Sequence, residues 1–157
     1  QHYDTDPTSA RFAHSNQKTY WLGKIWADKG LLPKDAQFKS RCLFGEHLIN
    51  RYPQCVVALV ESPKNALFGA LAFPKMVWVA TGNKTAIGPE ELKPLAGRNV
   101  IVIPDRDAIS QWKAIVSSMA WLANFCVSNF CEQAAPEEQS KFDIADYLQS
   151  QLWTQPF

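Results

Sequence analysis

Three short, uninterrupted apolar runs limit the fold more than any other feature of the chain: "CVVALV" (55–60), "MVWVAT" (76–81) and "NVIVIPD" (99–105). A β-branched run without polar alternation fits a strand covered on both faces. The stretches between the runs carry helical signals. "SPKNALFGALAF" (62–73) opens with Ser62 where an N-cap belongs and Pro63 at the first helical position. "PEELKPLAG" (89–97) predicts a short helix. "DAISQWKAIVSSMAWLA" (107–123) predicts a longer one, with apolar residues at 108, 109, 112, 115, 116, 119 and 122. Upstream, "CLFGEHLINRY" predicts a short amphipathic helix stopped by Tyr52 and Pro53. "FCVSNF" (125–130) predicts a fourth, less apolar strand, "EQAAPEEQSK" an exposed polar loop, and "DIADYLQSQL" (143–152) a last helix. Strands alternating with helices over short loops predict an α/β fold, a largely parallel four-stranded sheet with helices on both faces.

Residues 1–40 differ from the rest. They are polar and turn-rich, then run into "YWLGKIWADKGLL". The expectation is a small N-terminal extension with one or two short strands around Gly23 and Gly30, packed on a main domain (41–157) through Tyr20, Trp21 and Trp26. A length of 157 residues suits one domain plus such an extension, and 46% hydrophobic against 20% charged residues excludes wholesale disorder. The net charge of +1 means that any polyanion is met by a local cluster, not by the field of the whole molecule. No apolar run approaches a membrane span, and "QHYDTDPTSARF" has no signal-peptide core. The sequence opens on glutamine instead of methionine, so the expectation is a processed chain or, the preferred reading, a piece of a longer protein. Cys42, Cys55, Cys126 and Cys131 lack the spacing of a zinc knuckle, and His2, His14 and His47 do not complete one. They are expected as buried free thiols, consistent with a reducing, cytoplasmic setting.

The chemistry lies where the apolar runs end. The first runs straight into Glu61, and the third ends on Asp105 and Asp107 either side of Arg106. A carboxylate at the end of a buried strand is costly unless water, a partner or a cation meets it. In parallel sheets ligands gather at the carboxyl ends of the strands, and residues two apart in extended chain face the same side. Asp143 and Asp146, three apart, are neighbours on the last helix. Acids gathered from separate loops repel one another unless protons or cations intervene. An all-oxygen set selects magnesium or manganese over zinc, and magnesium commonly binds phosphate as well. Aspartates also cap helices, a competing role for Asp105, Asp107 and Asp143. Glutamate caps poorly, so Glu61 is the least easily explained that way.

"VVALVESPKNAL" followed by "NVIVIPDRDA" resembles the Toprim domain, shared by primases, type IA and II topoisomerases and some nucleases. "ATGNK" (80–84) resembles the glycine turn after the second Toprim strand. "CLFGEHLI", "VESPKNAL", "WVATGN", "LKPLAGRNVIVIPDRDAISQW" and "DIADYL" together resemble a Toprim-like domain of primase-like proteins from bacterial phages and conjugative elements. The resemblance covers about residues 40–150. It implies a Toprim-like sheet and catalytic residues Glu61, Asp105 and Asp107. These would bind Mg²⁺ (or Mn²⁺), with Asp143 and Asp146 as further ligands. It also implies DNA or another nucleic acid as partner, alongside other replication proteins. Lys64, Lys84 and Arg106 would hold phosphates, with Arg98 and Lys113 as weaker candidates.

The sequence has neither the tyrosine domain of a topoisomerase nor the additional domains of a primase. Primase-like nucleotidyl transfer or strand cleavage therefore stands beside a non-catalytic module that binds nucleic acid or a partner. A small-molecule phosphatase or a phosphoacceptor domain, with Asp105 as the nucleophile, ranks behind both. Trp112 and Trp121 are expected in the core, and Trp21 and Trp26 as packing residues, with base stacking by the latter two the rival role.

Overall fold

The computed structural model describes residues 4–5, 12–13, 25–26, 28–31 and 42–152. The chain divides into two compact units, Gln1–Ser40 and Arg41–Phe157. In the first, β1 (Asp4–Thr5) pairs antiparallel with β2 (Phe12–Ala13). The stretch before Gly30, expected as strand, is a helical turn. Ile25, Trp26 and Asp28 are helical, and the Lys29 N–H donates to the Ile25 carbonyl. Gly30 closes that turn with φ of 66°, a left-handed conformation that glycine adopts without strain. Trp26 is exposed. Tyr20, Trp21 and Gly23 lie outside the described residues.

The second unit carries α1 (His47–Arg51), β3 (Val57–Val60), α2 (Pro63–Ala72), β4 (Val77–Ala80) and α3 (Pro89–Leu92). There follow β5 (Asn99–Val102), α4 (Ile109–Ser118), β6 (Asn124–Val127), α5 (Phe130–Ala134) and α6 (Ile144–Leu152). The expected fold class is the one observed. β4, β3, β5 and β6 lie side by side in that order, every pair parallel. The side-chain period of two sends alternate residues of β3 to opposite faces. Val57 and Leu59 join Ile49, Leu92, Leu95, Trp112 and Val116. Ala58 and Val60 join Ala66, Cys131, Ile144 and Leu148. Helices therefore cover both faces.

Local chemistry accounts for the start of α2. The Ser62 hydroxyl accepts the Asn65 N–H at 3.2 Å, and Pro63 occupies the first turn, where its missing N–H has no partner to lose. One turn further on, Gly69 lets α2 lie against the sheet, because a Cβ there would sit 2.3 Å from the buried Trp78 ring.

Several elements depart from expectation. The long helix stops at Ser118, and Trp121, expected in the core, is 73% exposed; Trp112 is fully buried. The fourth strand ends at Val127, and Phe130–Ala134 forms the helix α5 in place of strand and loop. There Phe130 packs edge-on against Tyr147 with ring centres 4.8 Å apart. The four cysteines, expected to be buried, differ in exposure: Cys131 is buried and Cys55 half-buried, whereas Cys42 and Cys126 are exposed. Burial, with the nearby acids Asp105, Asp143 and Asp146, pushes the Cys131 thiol up to about 12, so it is inert packing. No helix among the described residues is long and apolar enough to cross a membrane.

Candidate metal and phosphate site

The strand order sets the position of the site. The chain leaves β3 for β4 on one side, then crosses to β5 on the other side of β3. The carboxyl ends of β3 and β5 thus flank the point where the winding reverses, the usual ligand crevice of such sheets. Glu61 follows β3 directly. Asp105 lies three residues beyond β5, in extended conformation (φ −61°, ψ 154°). Asp107 sits in a 3-10 turn, Arg106–Ala108, so the extended-chain reasoning for the aspartate pair does not hold. The tight turn nonetheless brings both aspartates to one cleft of about 400 Å³, lined by Glu61, Asn83, Lys84, Thr85, Asp105, Asp107 and Lys141. The competing capping role fails for Asp105, which occupies the N-cap position without a side-chain capping bond.

The loop after β4 closes one wall. The Gly82 N–H donates to the Glu61 carbonyl at 2.8 Å, with Gly82 at φ 86°. The Asn83 carboxamide oxygen accepts from the Thr85 and Ala86 N–H groups and the Thr85 hydroxyl, which shapes the turn. The Lys84 carbonyl accepts from the indole of Trp112 at 3.1 Å, anchoring the loop to the core.

The electrostatics are those of crowded acids. Burial, then the charges of Glu61, Asp143 and Asp107, push Asp105 up to about 7 against the opposing charge of Lys64. Glu61 is raised by burial and then by Asp107, while Lys84, through its charge and a backbone hydrogen bond, pulls it back. Neither Glu61 nor Asp105 has a salt bridge among the described residues. Asp107 has one, to the Lys84 ammonium at 3.1 Å.

Asp143 and Asp146 are arranged differently. Each carboxylate accepts the other's backbone N–H, at 2.9 and 3.2 Å, in a reciprocal cap on the first turn of α6. Lys64 reaches across from α2 to 2.9 Å from Asp143 and 3.7 Å from Asp146. Neither acid lines the cleft.

The expected phosphate-binding cations separate in the same way. Lys84 lines the cleft; Lys64 and Arg106 do not. The Arg106 guanidinium donates to the Pro136 and Gln139 carbonyls at 2.8 and 2.6 Å and so fastens the polar loop before α6. Arg98 donates to the carbonyls of Ile49, Tyr52 and Cys55 and closes the end of α1. Lys113 is exposed on α4 and does not line the cleft.

Sequence reasoning missed Asn65 and Lys141. Asn65 is fully buried; its amide donates to Asp105 at 3.2 Å, and its oxygen has no hydrogen-bond partner among the described residues. Its signal was the polar residue three past the Ser62 cap. Lys141 had none, because it reaches the cleft only through the path of the loop before α6.

Among the described residues, no three acidic, histidine or cysteine side chains stand close enough to hold an ion as arranged. In kind, the donor set fits one. It is all oxygen, carries more acid than base, and includes two carboxyls, Glu61 and Asp105, that have no salt bridge among the described residues. Glu61, Asp105 and Asp107 are the residues that would hold such an ion.

A family model described as a domain of unknown function, DUF6371, matches residues 1–106, a span that takes in Glu61 and Asp105. No curated protein and no solved structure matches the chain.

Proposed function

We propose that this chain, which belongs to the DUF6371 family, is a Toprim-like, magnesium-dependent domain for phosphoryl or nucleotidyl transfer on nucleic acid, primase-like in kind. The observation that carries the reading is the convergence of Glu61, Asp105 and Asp107 on one cleft at the winding reversal. A bound Mg²⁺ or Mn²⁺ would stabilise charge on a phosphoryl oxygen. Glu61, half-buried and raised above the usual carboxylate range, is suited to take a proton from a hydroxyl or a water and return it. Lys141 and Lys84 face the same cleft and would hold substrate phosphates, Lys84 by exchanging Asp107 for a phosphate. Asn65 holds the Asp105 carboxyl in place from below. The substrate class is nucleic acid, DNA in the first instance, in replication of a mobile element or phage, within the cytoplasm.

The test is turnover. Purified chain is incubated with labelled single-stranded and duplex DNA, nucleotides, and Mg²⁺ or Mn²⁺. Synthesis or cleavage is expected from wild type and not from Glu61→Gln or Asp105→Asn, both still folded by circular dichroism. Full activity in those variants would overturn the assignment.

One observation favours a second reading, a non-catalytic module that positions nucleic acid or a partner. Lys84 already neutralises Asp107, and the three acids do not stand at ion-holding distances as arranged. Salt-dependent DNA binding, with no turnover under any metal, would select it.

A further inference from the structure

Among the described residues, Asn65 is the one polar side chain that is buried outright. Its Nδ2 donates to Asp105 Oδ1 at 3.2 Å, while its own Oδ1 has no hydrogen-bond partner among the described residues. A buried amide oxygen left unsatisfied is destabilising, and an apolar side chain of similar volume would carry no such penalty. Packing alone therefore gives no reason for an asparagine at this position. The bond it donates to Asp105 does.

The amide is held in a fixed place. Asn65 lies in the first turn of α2, where Pro63 restricts the backbone and the Ser62 hydroxyl accepts the Asn65 N–H at 3.2 Å. Asp105 lines the cleft and Asn65 does not, so the carboxyl spans from the cleft to a fully buried donor. Oδ1 is thus the oxygen turned inward, and Oδ2 is the one left to the cleft.

We propose that Asn65 is a positioning residue that makes Asp105 meet a cation with a single oxygen, and that it thereby selects Mg²⁺ against Ca²⁺. This rests on the reading of the cleft as a cation site. Mg²⁺ demands a near-octahedral shell with short bonds, whereas Ca²⁺ takes a larger and looser one that readily includes both oxygens of one carboxylate. A carboxylate pinned inward by Oδ1 suits the first ion and denies the second a ligand.

The test uses Mn²⁺ as the spectroscopic probe. Mn²⁺ bound to the intact chain is followed by electron paramagnetic resonance and displaced by Mg²⁺ and by Ca²⁺ in separate titrations. The ratio of the two displacement constants does not depend on the affinity for Mn²⁺ itself. Asn65→Leu removes the donor and should shift that ratio about tenfold toward Ca²⁺, the scale on which hydrogen-bonded supports of metal ligands act. Asn65→Ala repeats the deletion if the leucine variant does not fold. A merely structural role would weaken both ions in equal proportion. An unchanged ratio, a shift toward Mg²⁺, or loss of all ion binding in both variants overturns the proposal and leaves the cation reading standing. Absence of Mn²⁺ binding in wild type removes the cation reading itself, and this inference with it.

Discussion

Two acidic pairs lie at one edge of the sheet, and they differ in almost every physical respect. Asp143 and Asp146 belong to a single helical turn, accept each other's backbone N–H groups and share Lys64. Glu61 and Asp105 come from separate strands, lack a cationic partner among the described residues, and are both raised by burial. The first pair stabilises the fold. The second is held together against its own repulsion by the sheet that carries it, and such groups tend to mark functional sites. Proximity of acids therefore says little; the balance of charge around them separates a pair that caps a helix from a pair left without a salt bridge among the described residues.

The widest gap between the pairs should appear in turnover. Glu61→Gln is expected to lower metal-dependent activity by roughly 10²-fold or more, and Asp146→Asn by no more than a few-fold. Similar losses in both would erase the distinction.

Stability should respond in the opposite sense. Asp105 sits at about 7 when folded against an ordinary 3.8, so the folded state binds the extra proton between those values. Stability then falls as pH rises from about 4 to about 7, and the penalty is complete above that range. Asp105→Asn should raise the melting temperature at pH 8 by several degrees and flatten this slope in metal-free buffer. A lowered melting temperature at pH 8 would contradict the account. Asp143→Ala should destabilise the unit by about 1 kcal/mol through loss of the α6 cap, readable by urea denaturation. The smallest effect belongs to Lys84→Ala: its ammonium is solvated, so the melting temperature should not move, while DNA affinity falls.

The legibility of these features in the sequence follows from how local their causes are. Ser62 and Pro63 announce α2 because a cap and a missing N–H act within one turn. The β-branched runs announce β3, β4 and β5 because burial on both faces leaves no polar alternation. Glu61 and Asp105 were legible as strand-end acids. Asp107 was found for an incomplete reason, since a 3-10 turn and not extended chain aims it at the cleft. Trp121 misled because apolar spacing continues past Ser118, where the helix ends. The fates of Arg106 and Arg98 were not legible. Their partners are backbone carbonyls distant in sequence, and a carbonyl leaves no mark in the residue code. Lys141 was hidden for the same reason, as a loop's return path is a tertiary property.

The central placement of β3 has a kinetic consequence. Its neighbours β4 and β5 both come later in the chain, with Val57 in register with Val77 and with Val100. The hairpin-like route of pairing consecutive segments is closed to it, and each partner must arrive over an intervening helix. Loop closure of that kind comes before any reward from contacts and slows the search. The strand carrying Glu61 to its place is thus flanked on both sides only once β5 has docked, so the acid cluster and the middle of the sheet should form in the same late step of refolding.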